Sequence, residues 1–180
     1  MEFAIIALLL LVVVWVVHTR RTLCELSDNV STAMSQVCLQ LSARFRALTA
    51  LRELAKFHGL PVPADYALPH VDARSTPAQV LAQEQQLAAA LHSLVDEAQT
   101  VPAMLADPAY RRCVEAADCY SRMIFTSSMI YNDSVSRLNH ALQRMPTRLI
   151  AGALGFSVRE YLELAPDAPV RTLSPQTQAS

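Results

Sequence analysis

The chain reads as all-α: an N-terminal single-pass transmembrane helix followed by an up-down antiparallel bundle of three to four helices. Three observations predict this. An unbroken apolar run fills residues 3–17, from Phe3 to Val17, with no charged side chain in it. Apolar residues then recur at helical spacing over three further segments. Only three glycines occur in 180 residues, and Ala, Leu and Gln are frequent, whereas β-branched residues concentrate in the first run.

The opening run has no polar face, so a soluble domain would have to bury it on every side. A bilayer covers it instead, and a helix satisfies its own backbone there. At 1.5 Å per residue the run spans about 23 Å, somewhat short of a hydrocarbon core of about 30 Å. Met1 and a snorkelling Arg20 extend it. A secretory signal peptide has an apolar core of this size but begins with positive charge and ends in a small-residue cleavage site. Here Glu2 precedes the run, and Val16-Val17-His18-Thr19-Arg20-Arg21 follows it. An interfacial helix needs a polar face, and a buried core helix needs a large partner that the remaining sequence does not offer. Residues 3–17 are therefore expected to engage the lipid bilayer. Arg20 and Arg21, then Arg44, Arg46, Arg52 and Lys56, all follow the span, which places the N-terminus outside and the following domain in the cytoplasm.

Removing the anchor leaves about 160 residues, enough for one sizeable core. The expected division is an anchor over 1–21, a helical bundle over 22–165 and a disordered tail over 166–180. In the first bundle helix Leu23, Val30, Val37, Arg44 and Leu51 form one heptad column. Leu26, Ala33, Gln40, Ala47 and Leu54 form a second, flanked by Met34, Leu41, Leu48 and Ala55. Continuous with the anchor, this helix would be a stalk reaching roughly 55 Å beyond the membrane. Gly59 and Pro61 stop it. Residues 59–75, with Pro61, Pro63 and Pro69, read as a long loop, either functional or loosely ordered. Thr76-Pro77-Ala78-Gln79 restarts a helix with a capping box and proline at its first position. Its stripe is Val80, Leu87, Leu91, Leu94, Val95 and Ala98, and Pro102 ends it. Asp107-Pro108 opens the last long helix, which can run to Met145. Its stripe is Tyr110, Val114, Ala117, Ile124, Tyr131, Val135, Leu138, Leu142 and Met145. The apolar segment Leu149–Phe156 can fold back over the bundle end, and the Pro-, Ser-, Thr- and Gln-rich chain after Pro166 reads as disordered.

No reaction site emerges from this pattern. None of the glutamates has a histidine three residues later, as a carboxylate-bridged metal site in a bundle needs. His92 and Asp96 stand one turn apart, a spacing that suits a solvated helix face. There is no glycine-rich phosphate loop and no zinc-protease motif. The cysteines Cys24, Cys38, Cys113 and Cys119 contain no C-x-x-C pair. Cys113 and Cys119 stand about 9 Å apart along one helix, too far for a disulfide. No cofactor is implied, and a net charge of −1 gives no basic surface for nucleic acid. What remains is a set of polar residues within the stripes: Gln40 and Arg44 on the first helix, Asn132 and Asn139 on the last. The two asparagines are seven apart and share a face. The four are expected to form a hydrogen-bonded layer, structural in fixing register or, alternatively, ligand-binding.

Two stretches resemble the LemA family. The first is Asn29-Val30, Ala33-Met34-Ser35-Gln36-Val37, Gln40-Leu41 and Arg44. The second is Tyr131-Asn132, Val135, Asn139, Pro146, Leu149-Ile150-Ala151, Gly155-Phe156 and Tyr161. Their order and spacing, together with the N-terminal apolar segment, identify the chain as a divergent member. It departs from the family pattern at Ala43, where a second basic residue is usual, at Arg46–Leu51, and at Ser121 and Met123, where a Glu and an Arg are usual. Its 59–75 loop is also richer in proline. The resemblance implies a single-pass anchored, antiparallel helical bundle of the bacterial inner membrane. It implies no enzyme activity, and associates the chain with membrane organisation or envelope stress.

The leading functional expectation is a non-enzymatic, membrane-tethered scaffold whose bundle contacts other membrane proteins or itself. The alternative is a sensory bundle holding a small polar ligand at Gln40, Arg44, Asn132 and Asn139.

Overall fold

The structure is a computed structural model that describes residues 2–61 and 71–165. Among these residues the regular elements are all helices: α1 (Glu2–Phe57), α2 (Pro77–Ala98), α3 (Pro102–Ala106), α4 (Pro108–Gln143) and α5 (Thr147–Ala151). The tail expected to be disordered, and the middle of the 59–75 loop, lie outside the described residues.

No glycine or proline occurs before Gly59, so nothing in the sequence interrupts the hydrogen-bond ladder of α1. The helix runs unbroken for 56 residues, about 84 Å at 1.5 Å per residue. Its environment changes sharply along that length. Residues Phe3 to Val14 are exposed all round, Trp15 and Val16 are half-buried, and from Thr19 onward one side of the helix is buried. Among the described residues, α1 is the one helix long and apolar enough to cross a membrane. It ends where Gly59 takes a left-handed φ of 81° and Leu60 N–H returns to the Ala55 carbonyl. That closure favours glycine, because a Cβ is strained at positive φ.

The expected start signals are in place. Thr76 and Gln79 cap α2 reciprocally, the Thr76 hydroxyl on the Gln79 N–H and the Gln79 carboxamide on the Thr76 N–H. Asp107 caps α4 through the Ala109 N–H at 2.7 Å, and its other oxygen meets His58 Nε2 at 3.3 Å. The cap hydrogen bond, and then His58, hold the Asp107 carboxyl below the usual carboxylate range. Pro102 opens the short α3 rather than simply ending α2, which stops at Ala98.

Contacts between elements set their directions. His58 at the end of α1 faces Asp107 at the start of α4. Leu26 to Gln36 lie beside Ile130 to Arg137. These two helices are therefore antiparallel. On the other side, Thr76 and Pro77 share a cleft with Ser27 to Met34, and Glu84 reaches Arg44. Both helices advance together, so α1 and α2 are parallel. The up-down order expected from the sequence is thus corrected: α2 repeats the direction of α1, and α4 opposes both. The connection must return about 40 Å along α1, and the 17 residues of 59–75 suffice for that at up to about 3.3 Å each.

The core lies where the three long helices meet. The column Leu23, Val30, Val37, Arg44, Leu51 is buried throughout, as is Met34, Leu41, Leu48, Ala55, whereas Leu26, Gln40, Ala47 and Leu54 form the half-buried flank. The returning chain seals one edge of α1. Val71 is buried, and the Cys38 thiol donates to the Asp72 carbonyl at 3.3 Å. Burial, reinforced by the nearby Asp72 carboxylate, pushes the Cys38 thiol up to about 11. Cys24 and Cys119 are exposed. Thiol modification near neutral pH is therefore expected to reach Cys24 and Cys119 in the native protein and Cys38 only on unfolding. Rapid native labelling of Cys38, read by peptide mass mapping, would contradict the packing of Val71-Asp72 on α1.

Candidate functional site

Asn132 and Asn139 lie on α4, a helix whose last turn gives way to α5 and then to a left-handed Gly155 with φ of 81°. Phe156 N–H returns to the Ala151 carbonyl, so α5 closes as α1 does. Beyond Gly155 the chain has no regular structure up to Ala165, and it travels back along α4. The two asparagines hold it there. Asn139 donates from Nδ2 to the Arg159 carbonyl and accepts the Arg159 N–H on Oδ1, both at 2.9 Å. Asn132 does the same to Leu162, at 2.9 and 2.8 Å. Between them the Tyr131 hydroxyl donates to the Glu160 carbonyl at 3.0 Å. Burial raises the Tyr131 phenol above its ordinary range, so it remains a proton donor at neutral pH.

The spacing has a geometric cause. Seven helical residues rise about 10.5 Å, and three extended residues span about 10 Å. Asn132 and Asn139 therefore match Leu162 and Arg159 without distorting either element. Each carboxamide sets one N–H and its carbonyl oxygen against the segment, as a peptide group on a neighbouring strand would. The clasp thus satisfies main-chain groups of an extended segment that has no sheet to join. Side chains complete the seat: Leu162 is 1 % exposed, with Phe156 and Leu164 half-buried against the core.

Arg44 and Gln40 belong elsewhere. Arg44 is 1 % exposed and pairs with Glu84 of α2, itself 14 % exposed. In the antiparallel register Asn132 lies level with the part of α1 near Thr32, about 18 Å along the axis from Arg44. Gln40 is half-buried on the flank of α1. The four residues do not make one layer. Arg44 belongs to an ion pair that joins α1 to α2, the two asparagines form a clasp that joins α4 to the C-terminal segment, and Gln40 belongs to neither. Glu84 is not among the residues the sequence singles out, although its position one turn after Val80 and three residues before Leu87 sets it, half-buried, at the edge of the buried stripe of α2.

Between Ser27–Met34 of α1, the Ala73–Pro77 turn and the Ser157–Glu160 segment lies an open cleft of about 650 Å³. Asp28, Arg74, Arg159 and Glu160 line it, so both signs of charge are present. Among the described residues no group of three His, Cys, Asp or Glu is placed to hold a metal. His92 turns its Nδ1 to the Ala88 carbonyl at 2.9 Å, within its own helix. The arrangement can bind and orient backbone.

Two outcomes check these assignments. Asn132→Ala deletes both bonds to Leu162, and at about 1 kcal/mol each the Leu162 amide should exchange about 30-fold faster. Asn132→Asp keeps the acceptor and should fall between the two; unchanged protection in either variant would remove the clasp. Glu84→Ala takes a carboxylate from a buried guanidinium and should cost about 3–5 kcal/mol in denaturant unfolding. The double variant Arg44→Met, Glu84→Leu should lose less than Glu84→Ala alone.

Against known proteins, no curated protein and no solved structure matches this chain. A family model does: that of the LemA family matches residues 33–176, from within the buried part of α1 past the clasped segment. The clasp residues, the Arg44–Glu84 pair and the core from Ala33 onward fall inside that match, and the chain belongs to the LemA family.

Proposed function

We propose that the protein is a single-pass membrane protein whose helical bundle serves as a non-enzymatic scaffold, contacting other membrane proteins or further copies of itself. The observation that carries this reading is α1. Its residues Phe3 to Val14 are apolar and exposed on every side, and the same helix continues without a break into a packed core. Exposure of that much apolar surface to water is unfavourable at about 25 cal/mol per Å², and a bilayer removes it. In this reading residues 1–21 anchor and 22–165 form the bundle. Arg20 and Arg21 keep the bundle on the cytoplasmic side of a bacterial inner membrane, with the N-terminus outside. Membership of the LemA family accords with a role in membrane organisation or envelope stress.

A second reading, a sensory bundle that binds a small polar ligand, is favoured by the cleft at Arg74 and Arg159. The clasp asparagines favour it less, since both already engage backbone.

Photo-crosslinking residues at Leu39 and Met129, both exposed apolar positions on the bundle, should capture a reproducible membrane neighbour or a second copy in cells. A reporter fused at the C-terminus should be active only in its cytoplasmic form. A monomeric protein with no captured neighbour would sink the scaffold and favour the sensory bundle.

A further inference from the structure

The acidic residues are unevenly placed. None occurs between Glu2 and Glu25, and none between Asp133 and Glu160. These two stretches are remote in sequence, but the fold brings them to one end of the molecule. α4 runs antiparallel to α1, with Asp107 beside His58 and Ile130–Arg137 beside Leu26–Gln36. Carried on at equal rise, this register sets the last residue of α4, Gln143, level with Arg21. α5 then lies where the apolar run meets the core. The burial pattern agrees, because Thr19 is only 8 % exposed and Trp15 and Val16 are already half-buried.

This end combines two kinds of surface. Arg20, Arg21, Arg144 and Arg148 are all exposed; Glu25 stands one turn beyond Arg21, and no carboxylate lies in the stretch that holds Arg144 and Arg148. Beside them Met145 and Leu149, four residues apart, are 67 % and 72 % exposed. A basic rim around a small apolar face is the chemistry of a segment that lies in a lipid headgroup layer. The neighbouring apolar run supplies continuity with the hydrocarbon.

We infer that the α4–α5 corner is a second membrane contact, a foot that docks on anionic lipid headgroups through Arg144 and Arg148 and inserts Met145 and Leu149 beside the anchor. This rests on the anchor reading of α1. The foot fixes the angle of the bundle on the bilayer, since one helix crossing the membrane leaves the domain free to tilt and two contacts do not.

Trp15 is the sole tryptophan, which allows both contacts to be read separately in the full-length protein in lipid nanodiscs. The discs contain phosphatidylcholine brominated near the headgroup, with or without phosphatidylglycerol. Wild-type Trp15 emission should be quenched in both kinds of disc. In a Trp15→Phe background, Leu149→Trp should be quenched in anionic discs, and Leu39→Trp should not. Each of Arg144→Gln and Arg148→Gln should lower the docked-to-free ratio about five-fold, corresponding to about 1 kcal/mol per basic residue. Hydrogen exchange of the Thr147–Ala151 amides in unmodified protein gives a readout free of substitution, and should be slower in anionic than in neutral discs. Quenched Trp15 with unquenched Leu149→Trp and unchanged exchange would overturn the foot alone. Quenching of Leu149→Trp that ignores both lipid charge and the arginine substitutions would overturn headgroup recognition. Unquenched Trp15 would overturn the anchor, and the foot with it.

Discussion

Everything in this molecule is referred to one stiff rod. α1 lacks a helix breaker for its whole length, and a helix of 56 residues transmits position and rotation from one end to the other. Its column from Leu23 to Leu51 faces the core continuously, which fixes the rotational setting of the apolar segment that precedes it. The other elements are cut to that length. α4 covers the buried part of α1 from the His58 end to the level of Arg21, α2 covers its distal half, and the C-terminal segment fills the proximal edge that α2 leaves open.

That last substitution has an energetic requirement. An extended segment packed against helices buries main-chain groups that neither a helix nor a sheet satisfies, and an unpaired buried peptide group costs about 1–3 kcal/mol. The asparagines answer it in the cheapest way available to a helix, by turning carboxamides into peptide surrogates at a two-turn spacing that matches three extended residues. Alanine would leave four backbone groups without partners. Aspartate would keep the acceptors and lose the donors. The identity of residues 132 and 139 follows from backbone chemistry, not from any property of the side chains they hold.

The buried Arg44 poses a comparable problem on the other face. A guanidinium in the core is unfavourable unless paired, and Glu84 supplies the charge from α2. Placing it there locks the axial position of α2 on α1, a restraint that apolar columns alone do not provide. This matters because a connection of 17 residues is long enough to permit other axial settings of α2.

Much of the architecture was legible locally. The helix ends are marked by Gly59, by the Thr76–Gln79 box and by Asp107-Pro108, since caps depend on residues three or four apart. The stripes were legible because a period of 3.6 is written in each helix separately. The Asn132–Asn139 pair was visible as a shared face, and the apolar run as a helix with no polar side. The direction of α2 was not, because a stripe reads the same in either direction and a 17-residue connection reaches both ends of α1. Nor were the partners of the polar residues. Leu162 is 30 residues from Asn132, and Glu84 is 40 from Arg44, separations at which no periodicity carries information. By itself the sequence determined which long segments are helical, where α2 and α4 begin and which face of each is apolar, because those depend on neighbours within a turn or two, whereas the short α3 at Pro102 was not legible. Only the tertiary structure decided that Arg44 would pair with Glu84, that the two asparagines would clasp a backbone segment, and that two acid-free stretches would come level at the apolar end of α1, because those depend on which faces the packed helices leave for one another.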